Sequence, residues 1–207
     1  MGRSANSFNR PSARFKPQAR VLILCEDTKS GKIYLENASK HYRSFASVEF
    51  AHCGHTDPKG IVTEAVGRER HFEEVYCVLD RDSHAGWTEA LAAALASHKV
   101  TVTPSYPSFE YWILIHFLFT RAPQNSVGGC SASDRIVREL KNQQGMGQYA
   151  KGYKGNLFME LLQRLPVAIQ NSQRALIEAG ETNEPNPSTK IHELLARLEA
   201  LSSPIAI

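Results

Sequence analysis

No apolar stretch of this 207-residue chain is long enough to cross a bilayer. The longest, Trp112–Phe119, falls well short of the ~20 residues a spanning helix needs, and it carries His116. The first twenty residues lack the apolar segment of a secretory signal. The Met-Gly start has Asn6 where a myristoylation site wants Ser or Thr. The same segment contains no acid: Arg3, Arg10, Arg14, Lys16 and Arg20 stand among Ser, Asn and Pro. Residues 1–19 therefore read as a disordered basic arm able to touch nucleic acid, or more plainly as a loose terminus without a role. Cysteine is sparse and scattered (Cys25, Cys53, Cys77, Cys130), which suits a reducing cytoplasm and not a disulfide framework. His52, Cys53 and His55 have no second pair at zinc spacing, so a zinc site is not expected. No internal repeat is present.

The stretch VLILCEDTKSGKIYL (residues 21–35) lacks a phosphate loop, although Gly31-Lys32 hints at one. The first glycine of G-x-x-x-x-G-K-[ST] would fall at Glu26 and the hydroxyl at Ile33. What remains is a strand whose last step delivers Glu26 to the carboxyl end, where open α/β sheets build their sites.

Strand and helix signals alternate from there. Strand 20–25 precedes a helix at about 31–42, and SVEFAHC alternates with period two. A helix at about 58–70 opens near Pro58. VYCVLD is a continuous apolar run, as expected for a parallel strand covered on both faces. A helix at about 86–98 is expected to bury Trp87, Leu91 and Leu95, and strand VTVTP closes the series. Repeated βα units of this length imply a parallel sheet. Beyond residue 108 the signals are helical: SFEYWILIHFLF, then about 132–143, 155–179 and 187–201. In NPST, Asn186 reads as an N-cap with Pro187 at N1 of the last helix. In the helix near Gly155, Leu157, Leu161, Leu165 and Ile169 recur every four residues, a stripe that the core should cover. The expected organisation is an α/β core over residues 20–120 and a C-terminal helical part over 121–207 packed on it.

The chemistry gathers at strand ends. VYCVLD runs into DRDSH, and Asp80 and Asp82, two apart in an extended backbone, share one face roughly 6.5 Å apart. If the strands ending in Glu26 and Asp80 are neighbours, three carboxylates converge. Mg²⁺ is usually held by one or two carboxylates plus water and substrate phosphate, so such a trio fits Mg²⁺ or Mn²⁺ acting on a phosphodiester. The plain alternative is that the aspartates merely end a strand, with Asp82 capping a turn. Glu110 suits a first helical turn, as an additional metal or orienting acid or as a buried structural one. Glu110 and His116 lie six apart in one helix and point different ways, so His116 reads as a satisfied core histidine. Lys29 and Lys154 are candidate phosphate-neutralising charges, each equally readable as a solvated lysine. His84 is a candidate proton relay to the leaving oxygen, or a turn residue.

The order of these motifs resembles the TOPRIM domain of topoisomerases, primases and OLD-type nucleases, in which a Glu follows the first strand and D-x-D a later one. It is more closely similar to the RloB-like family, whose first motif runs near E-G-x-K-T-E-x-x-Y. EDTKSGKIY keeps Glu26, Lys29 and Tyr34 and departs at Asp27, Ser30 and Gly31, Asp27 adding an acid. DRDSH is the second motif. SYPSFEYWILIHF keeps the family's Ser105, Pro107, Phe109, Glu110, Trp112 and His116, and Tyr153-Lys154 and NPST at 186–189 also match. The resemblance spans residues 20 to 201. It implies a TOPRIM-like sheet and for Glu26 the general acid/base role of TOPRIM enzymes; with the residues weighed above, the expected metal set is Glu26, Asp80, Asp82 and Glu110 and the expected catalytic residues are Glu26, Lys29, Lys154 and His84. It further implies a Mg²⁺-dependent nuclease on DNA or RNA, effector to an AAA-type ATPase in restriction-linked or anti-phage defence; a homodimer stays open. Two other readings stand beside it. One is a non-catalytic regulatory subunit, which has no need of a mutually repelling acid cluster. The other is a haloacid-dehalogenase-like phosphotransferase, which wants a second acidic pair that the chain lacks. The glycine-rich loops at 127–129 and 145–155 are expected to order on contact with nucleic acid or the ATPase, leaving the protein alone a poor nuclease.

Overall fold

The computed structural model describes residues 19–43, 46–81 and 86–202. The basic arm up to residue 18, and Asp82 and His84 of the DRDSH motif, lie outside the described residues. Strand β1 (Arg20–Cys25) is followed by α1 (Ser30–Tyr42), β2 (Ser47–Ala51), α2 (Pro58–Arg68), β3 (Glu74–Asp80), α3 (Trp87–Ala96) and β4 (Val100–Tyr106). Then come α4 (Phe109–Leu114), α5 (Ala132–Lys141), α6 (Leu157–Leu161), α7 (Leu165–Thr182), β5 (Ser188–Thr189) and α8 (Ile191–Ala200). The fold is α/β: a five-stranded, mostly parallel sheet in the order β2-β1-β3-β4-β5.

The period-two geometry of the strands sorts the core into two layers. Val21, Ile23 and Cys25 pack against Tyr34, Leu35 and Ala38 of α1, with Trp112, Leu194 and Leu198 in the same layer. Leu22 and Leu24 face the other way, onto Ile61, Val62 and Ala65 of α2, with Val75, Cys77 and Leu79 of β3. Val21 to Leu24 are fully buried, each contributing roughly 1.5–3 kcal/mol of transfer free energy. That is why β1 reads as an unbroken apolar run and lies inside the sheet. Asp57 caps α2 by accepting the Gly60 N–H at 2.7 Å, and Pro58 occupies its first turn. Helix α8 is pinned to β3 where Arg197 Nε donates to Glu74 Oε2 at 2.9 Å, holding that carboxyl below its usual range.

Several local expectations are corrected. Helix α3 buries Ala90 and Ala94, whereas Leu91 is 38% and Leu95 85% exposed and Trp87 is half-buried. Small alanine side chains let α3 close onto α2 and the sheet, where leucines have no room. The sheet does not end at β4: β5 adds to it antiparallel, pairing Ser105 with Thr189 and Tyr106 with Ser188. Asn186 is therefore not an N-cap. Its Oδ1 accepts the Gln124 N–H at 3.1 Å and its Nδ2 donates to the Gln124 carbonyl at 3.0 Å, while α8 begins only at Ile191. The segment expected as one helix over 155–179 breaks into a 3-10 turn at Leu162–Arg164, ahead of Pro166 in the first turn of α7. Leu157, Leu161 and Leu165 are nonetheless buried, and Ile169 packs against the same core. Helix α4 stops at Leu114, shorter than its apolar run.

Candidate functional site

Strand order makes the site. The chain leaves β1 toward β2 on one side and returns to β3 on the other, so the crevice at the carboxyl ends of β1 and β3 is the topological switch point of the sheet. Parallel pairing sets Cys25 beside Val78, and the Glu26 N–H continues the ladder to the Val78 carbonyl at 3.1 Å. The Glu26 side chain then accepts the Asp80 N–H through Oε2 at 2.8 Å. Asp80 Oδ1 in turn accepts the N–H of Phe109, the first residue of α4, at 2.9 Å. Glu110, 2% exposed, is fixed by two hydroxyls on one oxygen: Ser108 at 2.8 Å and Ser133 at 3.0 Å, both donating to Oε2.

These acids act on one another. Burial pushes the Asp80 carboxyl well above the usual carboxylate range, and the charges of Glu110, Glu26 and Asp27 push the same way against the Phe109 N–H. Asp27 is also raised by burial and by Glu110, offset by the Lys29 N–H at 3.1 Å and by Lys151. Among the described residues, no three His, Cys, Asp or Glu side chains meet in an arrangement that alone could hold a metal ion. The donor chemistry still suits a hard cation, since Mg²⁺ takes one or two carboxylates and completes its shell with water and phosphate. Carboxylates that raise each other's pKa are the groups a cation relieves.

Tyr149 completes this corner. It is buried, and its hydroxyl has no hydrogen-bond partner of normal geometry. Burial and the charges of Glu110, Asp27 and Asp80, opposed by the nearby Ser30 hydroxyl, hold its proton on through the physiological range. The loop bearing it is anchored by buried Met146 and Tyr149, and the Gly152 N–H donates to Ser30 Oγ at 3.3 Å. Lys29 is exposed just before α1, its side-chain carbons 3.6–3.7 Å from where a Cβ on Gly152 would stand. Lys154 is exposed, and no described contact joins it to the acids. The lysine whose charge reaches Asp27 is Lys151, passed over in the sequence although it shares the AKGYKG segment with Lys154.

A polar cleft of about 390 Å³ opens from Asp80 and is bounded by Tyr106, Asn125, Ser126, Ser133 and Lys151. The Arg81 guanidinium stacks over the Tyr106 ring, 5.3 Å from its centroid, and over the Trp87 ring, also at 5.3 Å. His116 lies elsewhere, buried against Tyr34 and Trp112. Its Nδ1 is 2.9 Å from the Trp112 carbonyl, but Nε2 has no partner, so this core histidine is only half satisfied. Burial pushes its pKa down to about 4.

No curated protein and no solved structure matches the chain. A family profile described as RloB-like protein matches residues 21–198, a span that runs from β1 into α8 and holds the acids and the cleft. The chain therefore belongs to the RloB-like protein family.

Proposed function

We propose that this chain is a divalent-metal-dependent nuclease, hydrolysing phosphodiester bonds of DNA or RNA at the β1–β3 crevice. The observation that carries the reading is the convergence at the sheet switch point of Glu26, which accepts the Asp80 N–H at 2.8 Å, with Asp80, whose carboxyl is raised by burial and then by the charges of Glu110, Glu26 and Asp27. Asp80 and Glu26 would hold Mg²⁺ or Mn²⁺, with Glu110 and Asp82 as the further acids the family resemblance implies. Such a cation supplies charge neutralisation on the phosphate and a lowered pKa for the attacking water. Glu26, held at the strand end by the Asp80 N–H, would accept a proton from that water or return one to the leaving oxygen. The Ser108 and Ser133 hydroxyls keep Glu110 in one orientation. Lys151 balances the acids and meets the phosphate as a point charge, with Lys29 and Lys154 in reserve on the same loop system. His84 remains the candidate for proton delivery at the leaving group. The context implied by the resemblance is a cytoplasmic defence effector, switched on by an AAA-type ATPase.

Cleavage of plasmid, single-stranded DNA and transfer RNA in Mn²⁺, with and without the ATPase, tests this. Glu26→Gln keeps a carbonyl oxygen to accept the Asp80 N–H, so the fold should hold while cleavage falls about 10²-fold or more. Full activity in purified Glu26→Gln removes Glu26 from the chemistry. No Asp80-dependent cleavage under any condition removes the nuclease reading.

A further inference from the structure

We propose that the polar cleft beside Asp80 seats one unpaired nucleoside of a nucleic-acid strand, so that the substrate is single-stranded or has a nucleotide turned out of its stack. This deepens the nuclease reading and rests on it. The cleft begins where the acids end, since Asp80 belongs to both. A strand whose phosphodiester lies at the acids must lodge its neighbouring sugar and base somewhere, and this opening adjoins them.

Size and chemistry select the occupant. At about 390 Å³ the cleft lies near the lower end of the roughly 300–1,000 Å³ typical of small-molecule sites. That admits a single nucleoside and excludes a base pair held in a duplex, so a paired nucleotide reaches it only after extrusion. Its walls are hydroxyls and amides: Ser108, Ser126 and Ser133 with Asn125, whose Oδ1 accepts from Asn186 at 3.0 Å. With their protons on Glu110, Ser108 and Ser133 offer acceptor oxygens, while Ser126 and the Asn125 amide add donors, a set that answers a heterocycle edge and sugar hydroxyls. Tyr106, whose ring carries the Arg81 guanidinium on one face, also lines the cleft, and aromatic residues are what unpaired bases stack on whatever their sequence. Charge excludes a polyphosphate. Lys151 is the single cation among the described lining residues, and Asp80 opposes it.

Ser126 is exposed at the rim, so Ser126→Trp fills the cleft without entering the core, and Ser126→Ala controls for the lost hydroxyl. The probe is a short oligonucleotide with one internal 2-aminopurine, in deoxy and ribo forms, titrated into the full chain in Ca²⁺. The same label in a blunt duplex and free adenosine monophosphate as competitor complete the set. Wild type and Ser126→Ala should bind the single strand at least tenfold tighter than the duplex, with a change in label emission. Ser126→Trp should lose at least tenfold of that affinity with an unchanged melting temperature. Equal binding by Ser126→Trp, equal affinity for duplex, or no strand binding by wild type overturns the assignment. Competition by the free nucleotide as strong as by the strand overturns it too, marking a mononucleotide pocket. Cleavage in Mn²⁺ separates the two readings. Asp80-dependent cutting that Ser126→Trp leaves intact sinks the cleft alone. Cleft-dependent binding with no Asp80-dependent cutting sinks the nuclease alone.

Discussion

Glu26 accepts the backbone N–H of Asp80 at 2.8 Å, so the two acids at the switch point are tied through main chain before any ligand arrives. The tie fixes the carboxylates close together and makes them repel. Asp80, raised well above its usual range, holds its proton more tightly folded than unfolded. Its contribution to stability is present in acid and is lost as pH rises through that raised value. Without divalent ions, Asp80→Asn should therefore melt higher than wild type at pH 7–8, the two converging at acidic pH. Millimolar Mn²⁺ should raise the wild-type melting temperature and leave Asp80→Asn unmoved. Equal melts for both proteins across pH and metal, by scanning calorimetry, would remove the acid cluster as a source of strain.

The buried Tyr149 hydroxyl lies near Ser30 and the same acids with no hydrogen bond of normal geometry, and its proton stays on. A buried donor matched this weakly in the resting protein gains by meeting a phosphate oxygen. Tyr149→Phe keeps the ring and deletes that donor. It should leave the fold as stable as wild type or slightly more so, while cutting nuclease turnover about tenfold, the effect of roughly one hydrogen bond to a charged group. A loss of melting temperature with turnover preserved assigns the hydroxyl to structure instead.

The sheet and its strand-end acids were legible because their signals are local. A strand buried on both faces is rich in apolar residues, so Val21–Cys25 and the mostly buried Val75–Leu79 announce themselves and place Glu26 and Asp80 at their ends. Whether those ends adjoin is a matter of topology, which the sequence left conditional and the β1–β3 pairing supplies. Strand β5 is two polar residues long and is defined only by contact with β4, so no periodicity marks it. Tyr149 and Lys151 reach the acids through a loop more than a hundred residues distant in sequence from Asp27 and Ser30, beyond any local pattern. Helix α3 was misread because WTEALAAALA is apolar almost all round, and periodicity cannot choose between an alanine face and a leucine face.

That corrected face has a measurable consequence. Ala94 is buried against the sheet while Leu95 projects into solvent. Ala94→Leu forces extra methylenes into a closed contact and should cost ~1–3 kcal/mol in urea unfolding. Leu95→Ala should change stability by no more than ~0.5 kcal/mol. The reverse order would restore the leucine face as the buried one.

His116 couples the stability of the fold to pH. Its pKa falls from the ordinary 6.5 to about 4 because burial disfavours the charged ring, so the unfolded chain binds a proton that the folded chain refuses. The stability it contributes is complete above pH 6.5 and is lost as pH falls toward 4, on the order of 3 kcal/mol over that window. His192, also lowered by burial, adds a smaller change of the same sign. His116→Leu removes the titrating ring and its unpartnered Nε2, leaving an apolar side chain among Tyr34, Trp112 and their neighbours. The variant should unfold in urea with a much flatter pH dependence between 6.5 and 4, whatever its absolute stability at neutral pH. A slope equal to that of wild type over this window would mean that His116 titrates alike in both states, and that its burial imposes no proton linkage.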